Sequence, residues 1–509
     1  MNISRYNYDK LYNFNSTSQQ QQKKYELVVG VEIHAQIKSK EKLFSDSLNV
    51  GSLDGCIANS RVSYVDAAFP GTLPVLNQRC VEQSIRTGLA IGARINKRSS
   101  FDRKHYFYQD LPQGYQITQY YQPIATEGIM MLNMKDGSKV PINISHIQIE
   151  QDSGKSIHDQ SPSHTLVDLN RAGIGLMEVV SAADFRSSEQ VGQYIKQLQQ
   201  LMKHIGSSDA NMQLGEMRAD INISVRPNRP NEPFGTRVEL KNMISIKAIT
   251  GAIDAEAARQ IDVLEAGGRV LRETRGFDQA SGQTFHMRTK EDEVDYRFFP
   301  EPDLPPLILS DDYIDSIRNK MVELPDALKS RLMRDYQIAE HEVDVLVEDR
   351  DVAQYFEAVV AHGGKQRASK KVLPWILKEM FEWLNSRNET IVQSPVSVGQ
   401  LAELVDLIDQ GYMSSRTGKE IFARLLNDNK QQQSVKALVE SLGLSQISDD
   451  STLDQLCKTL VEANPKEAQD YRSGKQRVFK FFVGEIMKQT KGRSNPEKVN
   501  QYLKKYLDI

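Results

Sequence analysis

In the first part of the chain, hydrophobic residues recur at every second position. In VVGVEIHAQI (28–37), Val31, Ile33, Ala35 and Ile37 share one face of an extended strand, and Gly30, Glu32, His34 and Gln36 share the other. EMRADINISVRP (216–227) alternates in the same way, setting Met217, Ala219, Ile221, Ile223 and Val225 against Arg218, Asp220, Asn222, Ser224 and Arg226. After the turn-rich PNRPNEPFG, TRVELK places Arg237, Glu239 and Lys241 opposite Val238 and Leu240, so the two segments predict a hairpin. Around HIQIEQD, His146, Gln148 and Glu150 share a parity against Ile147 and Ile149. Each polar face has two readings, solvent cover or a binding surface. Asn and Asp are poor strand formers, and their use mid-strand weakens the first.

Helical signals interrupt these strands. One helix is predicted over Glu189–Ile205, entered through Ser187 and Ser188 and stopped by Gly206, and another over Ile244–Ala266, ended by Gly267 and Gly268. FFPEPDLPPL (298–307) is too rich in proline for a helix interior and marks a joint. Beyond Asp311 the pattern is almost wholly helical, as in LPWILKEMFEWL (373–384), with SPVSVGQ (394–400) as a second joint. The expected organisation is α+β: an extension over 1–24, a mixed domain over 25–310, a helical domain over 311–396 and a small helical tail over 397–509.

The tail carries the clearest amphipathic element. Phe479, Phe482, Val483 and Ile486 form one stripe, and Arg477, Lys480, Lys488 and Lys491 the opposite one. A second helix starts at Pro496, a favoured first position, and buries Val499, Tyr502, Leu503, Tyr506 and Leu507.

Composition narrows the class. With 39% hydrophobic and 26% charged residues in 509, the chain reads as a soluble protein of several domains. No apolar run is long enough to span a membrane. Cys56, Cys80 and Cys457 are far apart without CxxC spacing, which favours a reducing compartment over a disulfide framework. The net charge of −3 argues against a generic nucleic-acid binder. Its distribution is uneven: residues 470–509 hold ten Lys/Arg against four Asp/Glu. That basic end is either a footprint for a polyanion or a solvated tail. The first 24 residues hold one acid, Asp9, and lack the apolar core of a secretory signal; they fit an organelle transit peptide or an ordinary extension.

Carboxylates converging from several strands suit a hard divalent cation such as Mg²⁺, and Glu32, Glu150 and Glu178 (in GLMEVV) are the candidates. His34 prefers softer metals; ligation of Mn²⁺, contact through water and a place behind the ligands all stay open. DSGKS (152–156) has the end of a phosphate-binding loop, but Ile149 stands where that motif needs glycine. No nucleophile elbow or glycine- and serine-rich amidase stretch is present.

VGVEIHAQIKSKEKLFS, FPGTLPVLN, FDRKHYFYQDLPQGYQITQY, QIEQDSGKS, VDLNRAGIGLMEVVS, MRADINISVRP, GTRVELKN and DYRFFPEPDLPPL resemble, in order, the GatB family, the B subunits of glutamyl/aspartyl-tRNA amidotransferases. The match extends through MSSRTGKEIF (413–422) and FFVGEIMKQTKGRSNP (481–496). The resemblance implies a cradle-shaped catalytic domain, a helical domain and a tail of the YqeY type. It also implies a ligase that forms a carbon–nitrogen bond with glutamine as amido donor, in a heterotrimer with the amidase (A) and small (C) subunits. In that scheme ATP and Mg²⁺ phosphorylate the side-chain carboxylate of glutamate on Glu-tRNA(Gln), or of aspartate on Asp-tRNA(Asn), and ammonia from the amidase displaces the phosphate. The alternative is a non-catalytic tRNA-binding scaffold that keeps the fold.

Carried onto this chain, the resemblance implies Glu32, His34, Glu150 and Glu178 as metal ligands. Arg218, Lys241 and Arg297 are the expected phosphate-clamping cations, with Asp220 and Glu239 orienting them or a second metal. Arg477, Lys480, Lys488 and Lys491 would contact tRNA. Two departures matter. VSYVDAAFPG (62–71) lacks the zinc-binding cysteines of many relatives, so no zinc is expected. Gln151 replaces an acid beside Glu150, so a weaker metal site is expected. The glutamine-rich leader and drifted motifs favour a mitochondrion over a bacterial cytoplasm.

Overall fold

The computed structural model describes residues 24–49, 55–158, 164–289, 295–428, 433–444, 450–490, 494 and 496–508. The chain divides into two compact units, Met1–Pro325 and Asp326–Ile509. The expected extension falls, apart from Lys24, outside the described residues.

The first unit is built on nine strands: β1 (Tyr25–Gln36), β2 (Arg94–Ile95), β3 (Ala125–Asn133), β4 (Lys139–Gln151), β5 (Gly175–Ser181), β6 (Met217–Pro227), β7 (Val238–Leu240), β8 (Glu273–Asp278) and β9 (Gln283–Thr289). They form one open sheet in the order β9-β8-β7-β6-β1-β5-β4-β3-β2. All neighbours are antiparallel except β7 and β8. The period-2 pattern sorts the faces: Val31, Ile33 and Ala35 of β1 share a core with Ile85, Leu198 and Ile249. Those last three residues lie on helices α1 (Gln78–Ala90), α2 (Ser188–Ile205) and α3 (Ile246–Glu265).

Capping fixes the helix starts. Ser187 accepts from the Gln190 N–H and Ser245 from the Ala248 N–H, while Gly206 at φ 71° ends α2 in the left-handed conformation. The predicted hairpin is present as β6 and β7. Gly235 in its link passes so near β6 that an added Cβ would stand 2.2 Å from the Val225 carbonyl oxygen.

The proline-rich segment does not end the first unit. Its Phe299–Pro300 pairs with Asp102–Arg103, and its Leu307–Ile308 pairs with Arg98–Ser99. The helix Asp311–Arg318 then buries Ile314 and Ile317 in the same core. The division therefore lies at Pro325, later than the joint expected at 310.

The second unit is helical and holds two cores. Leu332, Val343, Phe356, Val372, Val396, Leu401, Ile421 and Val435 belong to one, which runs through the joint expected at 396 because Val396 and Leu401 pack together in it. Leu453, Cys457, Phe482, Ile486, Val499, Leu503 and Leu507 form the other. LPWILKEMFEWL is not one regular helix: Pro374 is followed by a wide π-type turn over Trp375–Met380 before helix resumes at Phe381–Arg387. Proline has no N–H for the regular ladder, and the wide turn absorbs that loss.

Candidate active site

β1 lies between β5 and β6, so His34 pairs with Glu178 on one side and Arg218 on the other, and Glu32 faces Asp220. Glu178 in turn faces Gln148 on β4, with Glu150 two residues further along the same face. This register brings His34, Glu150 and Glu178 together. One ligand atom from each lies within 4.8 Å of the other two, the one such group of His, Cys, Asp or Glu among the described residues. His34 Nε2 is 3.6 Å from Glu150 Oε1 and 3.6 Å from Glu178 Oε2.

The supporting polar residues come from β4 and from the short strands Asp102–His105 and Tyr115–Thr118. Gln148 Nε2 donates to Glu178 Oε2 at 2.6 Å and to Thr118 Oγ1 at 3.2 Å, and Thr118 Oγ1 donates to Glu150 Oε2 at 3.4 Å. Glu150 is buried at 3% exposure, so these few contacts are thin compensation for its charge. Burial first, and the Glu178 charge second, push its carboxyl up to about 7. Glu178 is held below the ordinary range: burial opposes its charge, but His34, Lys104 and the hydrogen bonds from Glu150 and Gln148 outweigh it. Burial would likewise lower the His34 imidazolium, yet Glu178 and Glu150 carry it above its usual value. The arrangement thus retains protons in the absence of a cation. Two carboxylate oxygens and one imidazole nitrogen on a rigid sheet form a donor set that fits a divalent ion.

The cations beside this group differ in how fully they are paired. Arg218 NH2 donates to Asp152 Oδ2 at 2.7 Å, while its buried Nε–H has no partner. Lys241 Nζ donates to Asp220 Oδ2 at 2.9 Å and lies 3.3 Å from Glu239 Oε1, whose other oxygen accepts from Thr274 Oγ1 at 3.0 Å. Burial alone would lower the Lys241 ammonium; Asp220 and Glu239 more than reverse that. Lys104 has no carboxylate within ion-pair distance among the described residues. Its Nζ stands 5.0 Å from the centre of the Tyr296 ring, and its charge acts on both Glu150 and Glu178.

Residues 27–315 match the family described as the GatB/GatE catalytic domain, and residues 354–507 match the one described as the GatB domain. The chain belongs to the GatB family. It is 60% identical to the B subunit of the mitochondrial glutamyl-tRNA(Gln) amidotransferase of Dictyostelium discoideum over 95% of this chain and 91% of that one. Two bacterial proteins, named as B subunits of aspartyl/glutamyl-tRNA(Asn/Gln) amidotransferases, are similar as well. That of Pelagibacter ubique is 47% identical over 95% of this chain and 96% of its own, and that of Rickettsia canadensis 46% over 95% and 98%.

Within this GatB-family chain, three of the four expected ligands converge, and Glu32 is outside that group. It shares their sheet face and is held by Asn222 Nδ2, which donates to its Oε1 at 2.8 Å. Arg297 is also apart. It occupies a left-handed position at φ 45°, its side chain is 84% exposed, and its ion partner is Asp295 at 4.0 Å. The glutamine at 151 takes no charge from the cluster, contrary to expectation. It follows Glu150 in the strand and so faces the other way, where its Nε2 donates to Gln113 Oε1 at 3.0 Å and, at 3.4 Å, to the Tyr115 carbonyl.

Lys104, Gln148 and Thr118 are the members that sequence reasoning missed, although Gln148 had the right parity. In the tail, Arg477, Lys480 and Lys488 are exposed, opposite buried Phe482 and Ile486. Lys491 lies outside the described residues.

Proposed function

We propose that this chain is the B subunit of a glutamine-dependent tRNA amidotransferase. It activates the side-chain carboxylate of glutamate on Glu-tRNA(Gln), with aspartate on Asp-tRNA(Asn) as the second substrate, in a mitochondrial heterotrimer with the amidase (A) and small (C) subunits. The observation that carries the reading is the His34–Glu150–Glu178 group: one buried and one half-buried carboxylate close to one imidazole, with Lys104 and Arg218 nearby.

The substrate carboxylate oxygen attacks the γ-phosphorus of ATP and ADP leaves, giving an acyl phosphate. Ammonia from the amidase then attacks the acyl carbon, inorganic phosphate departs, and the nitrogen loses its surplus proton to solvent. Glu150, Glu178 and His34 would hold Mg²⁺, or Mn²⁺, which supplies charge neutralisation to the phosphoryl oxygens. Gln148 and Thr118 fix the two carboxylates, and Glu32 bounds the acidic side of the face. Arg218 offers its unpartnered Nε–H, and Lys241 an ammonium that Asp220 and Glu239 keep protonated. In the tail, Arg477, Lys480, Lys488 and Lys491 contact the phosphate backbone of the tRNA.

The test is ATP hydrolysis by the assembled heterotrimer in the presence of Glu-tRNA(Gln). Glu150→Ala is expected to lower the rate by about 10²–10³, the effect of removing one charge-stabilising group. A fully active Glu150→Ala enzyme would remove the metal assignment.

A further inference from the structure

A row of aromatic rings starts beside the acidic group and runs out to the surface. Tyr106 lies between Tyr108, at 5.7 Å between ring centres, and Tyr296, at 6.2 Å. Tyr296 continues to Phe298 at 6.0 Å, and Phe298 is stacked face to face on Tyr120, with centres 4.0 Å apart and planes within 10°. Tyr121 closes the row edge-on, 5.0 Å from Tyr120.

Both ends are rooted in strands that serve the site. Tyr106 follows the strand carrying Lys104, and its hydroxyl donates to Gln116 Oε1 at 3.4 Å. Gln116 in turn donates to the Gln151 carbonyl at 2.8 Å, next to Glu150. Tyr120 and Tyr121 follow the strand that carries Thr118, and the Tyr121 N–H is held by Asp102 Oδ2 at 3.0 Å. Lys104 lies over the Tyr296 ring, so a cation is interleaved with the row.

Folding does not account for the exposure of these rings. Tyr108, Tyr120 and Tyr121 are 57%, 54% and 61% exposed, although large rings contribute most when buried. Tyr120 has one face covered by Phe298 and still keeps more than half of its surface exposed. Flat, open rings with hydroxyl edges and a neighbouring cation are what unpaired bases stack on.

We propose that this row is a stacking platform for the unpaired 3′-terminal nucleotides of the acceptor RNA. The inference rests on the reading given under Proposed function. If the esterified amino acid reaches the His34–Glu150–Glu178 group, the terminal ribose and its bases are within a few residues' reach of it. The platform supplies the nearest surface with matching chemistry, and because every base has a π-face it grips the end without reading its sequence.

The test uses the assembled heterotrimer and a short unpaired RNA with 2-aminopurine as its 3′-terminal base, whose fluorescence falls on stacking. Quenching is expected with the unmodified protein and with Tyr120→Phe, and its loss with Tyr120→Ala and Tyr121→Ala. The same alanine variants are expected to raise the KM for aminoacylated tRNA roughly tenfold, with kcat and the KM for ATP unchanged. Absence of quenching with the unmodified protein would overturn the platform. A rise in the KM for ATP with no change for RNA would do the same, by assigning the rings to the adenine of ATP. Quenching needs no turnover, so it separates failure of the platform from failure of the activation chemistry.

Discussion

Two groups of carboxylates lie against one sheet, and they are treated in opposite ways. At the β8–β9 end, Glu256 on α3 is fully buried and saturated. Its Oε1 accepts from Arg259 NH2 at 2.6 Å and Gln260 Nε2 at 2.9 Å, and its Oε2 from Arg259 Nε at 2.9 Å and Thr284 Oγ1 at 2.8 Å. Its neighbour Glu273 is bound by Arg275 NH1 at 2.8 Å and the His286 ring at 2.6 Å. Around Glu150 the contacts are one hydroxyl at 3.4 Å, one imidazole at 3.6 Å and a hydrogen bond to Glu178, a second acid rather than a cation. A carboxylate whose lone pairs are filled holds elements together. One left short of partners is poised to accept a cation, and the difference separates a clasp from a site on a single scaffold.

The sharpest way to break this comparison is Glu256→Ala. It leaves Arg259 and Arg275 without their shared anion and is expected to cost about 3–5 kcal/mol of stability, read from urea unfolding. The same change at Glu150 is expected not to lower stability at neutral pH, where its buried carboxylate is a burden; equal losses at the two positions would erase the distinction.

Gln148→Leu comes next. Removing the donor that orients Glu178 is expected to weaken Mn²⁺ binding by about 10–100-fold, measured by the electron paramagnetic resonance of the free ion. Unchanged binding would reduce Gln148 to packing.

The two groups also predict opposite pH behaviour in the presence of EDTA. Glu150 is raised from 4.5 to about 7, so the folded chain binds its proton more tightly than the unfolded chain. Stability is therefore lost as pH rises across that window, and Glu150→Gln is expected to remove the loss in thermal melts. Glu273 is held below 4.5, since the His286 and Arg275 bonds outweigh burial. Its contribution is present above 4.5 and disappears as pH falls through its folded value. Parallel pH profiles for Glu150→Gln and Glu273→Gln would contradict the assignment.

The smallest effect belongs to the tail. Lys480→Glu with Lys488→Glu is expected to weaken tRNA binding a few-fold and to flatten the salt dependence by about one unit of slope per residue. An unchanged slope would mean a solvated surface.

Much of the sheet was legible because its period of two sorts side chains by face without tertiary information. Val31 and Ile33 went to the core, and His34 and Glu150 to the opposite face, as their parity required. Parity also contained the answer for Gln151, but that position was judged by adjacency in sequence rather than by face. What the sequence could not convey was register. Nothing in VEIH or IEQD says that His34 lies level with Glu178 while Glu32 lies level with Asp220, and that offset leaves Glu32 outside the cluster. Lys104 escaped notice because a single lysine in DRKH has no periodic signature; its strand must first be laid beside Tyr115–Thr118. The first core runs past the expected joint for a related reason: prolines mark where helix stops, whereas Ile314 and Ile317 decide where the core stops.

Lys42 is fully buried, and its Nζ donates to the carbonyls of Arg61 and Ala172, each at 2.7 Å, and to Asp66 Oδ2 at 3.0 Å. One ammonium thus pins an irregular loop against the turn that leads into β5 and Glu178. No reagent can meet that amine while the loop is docked. Acylation of the native protein at this lysine would therefore proceed at the rate of local opening, giving a clock for how often the floor beneath the Glu178 strand comes undone.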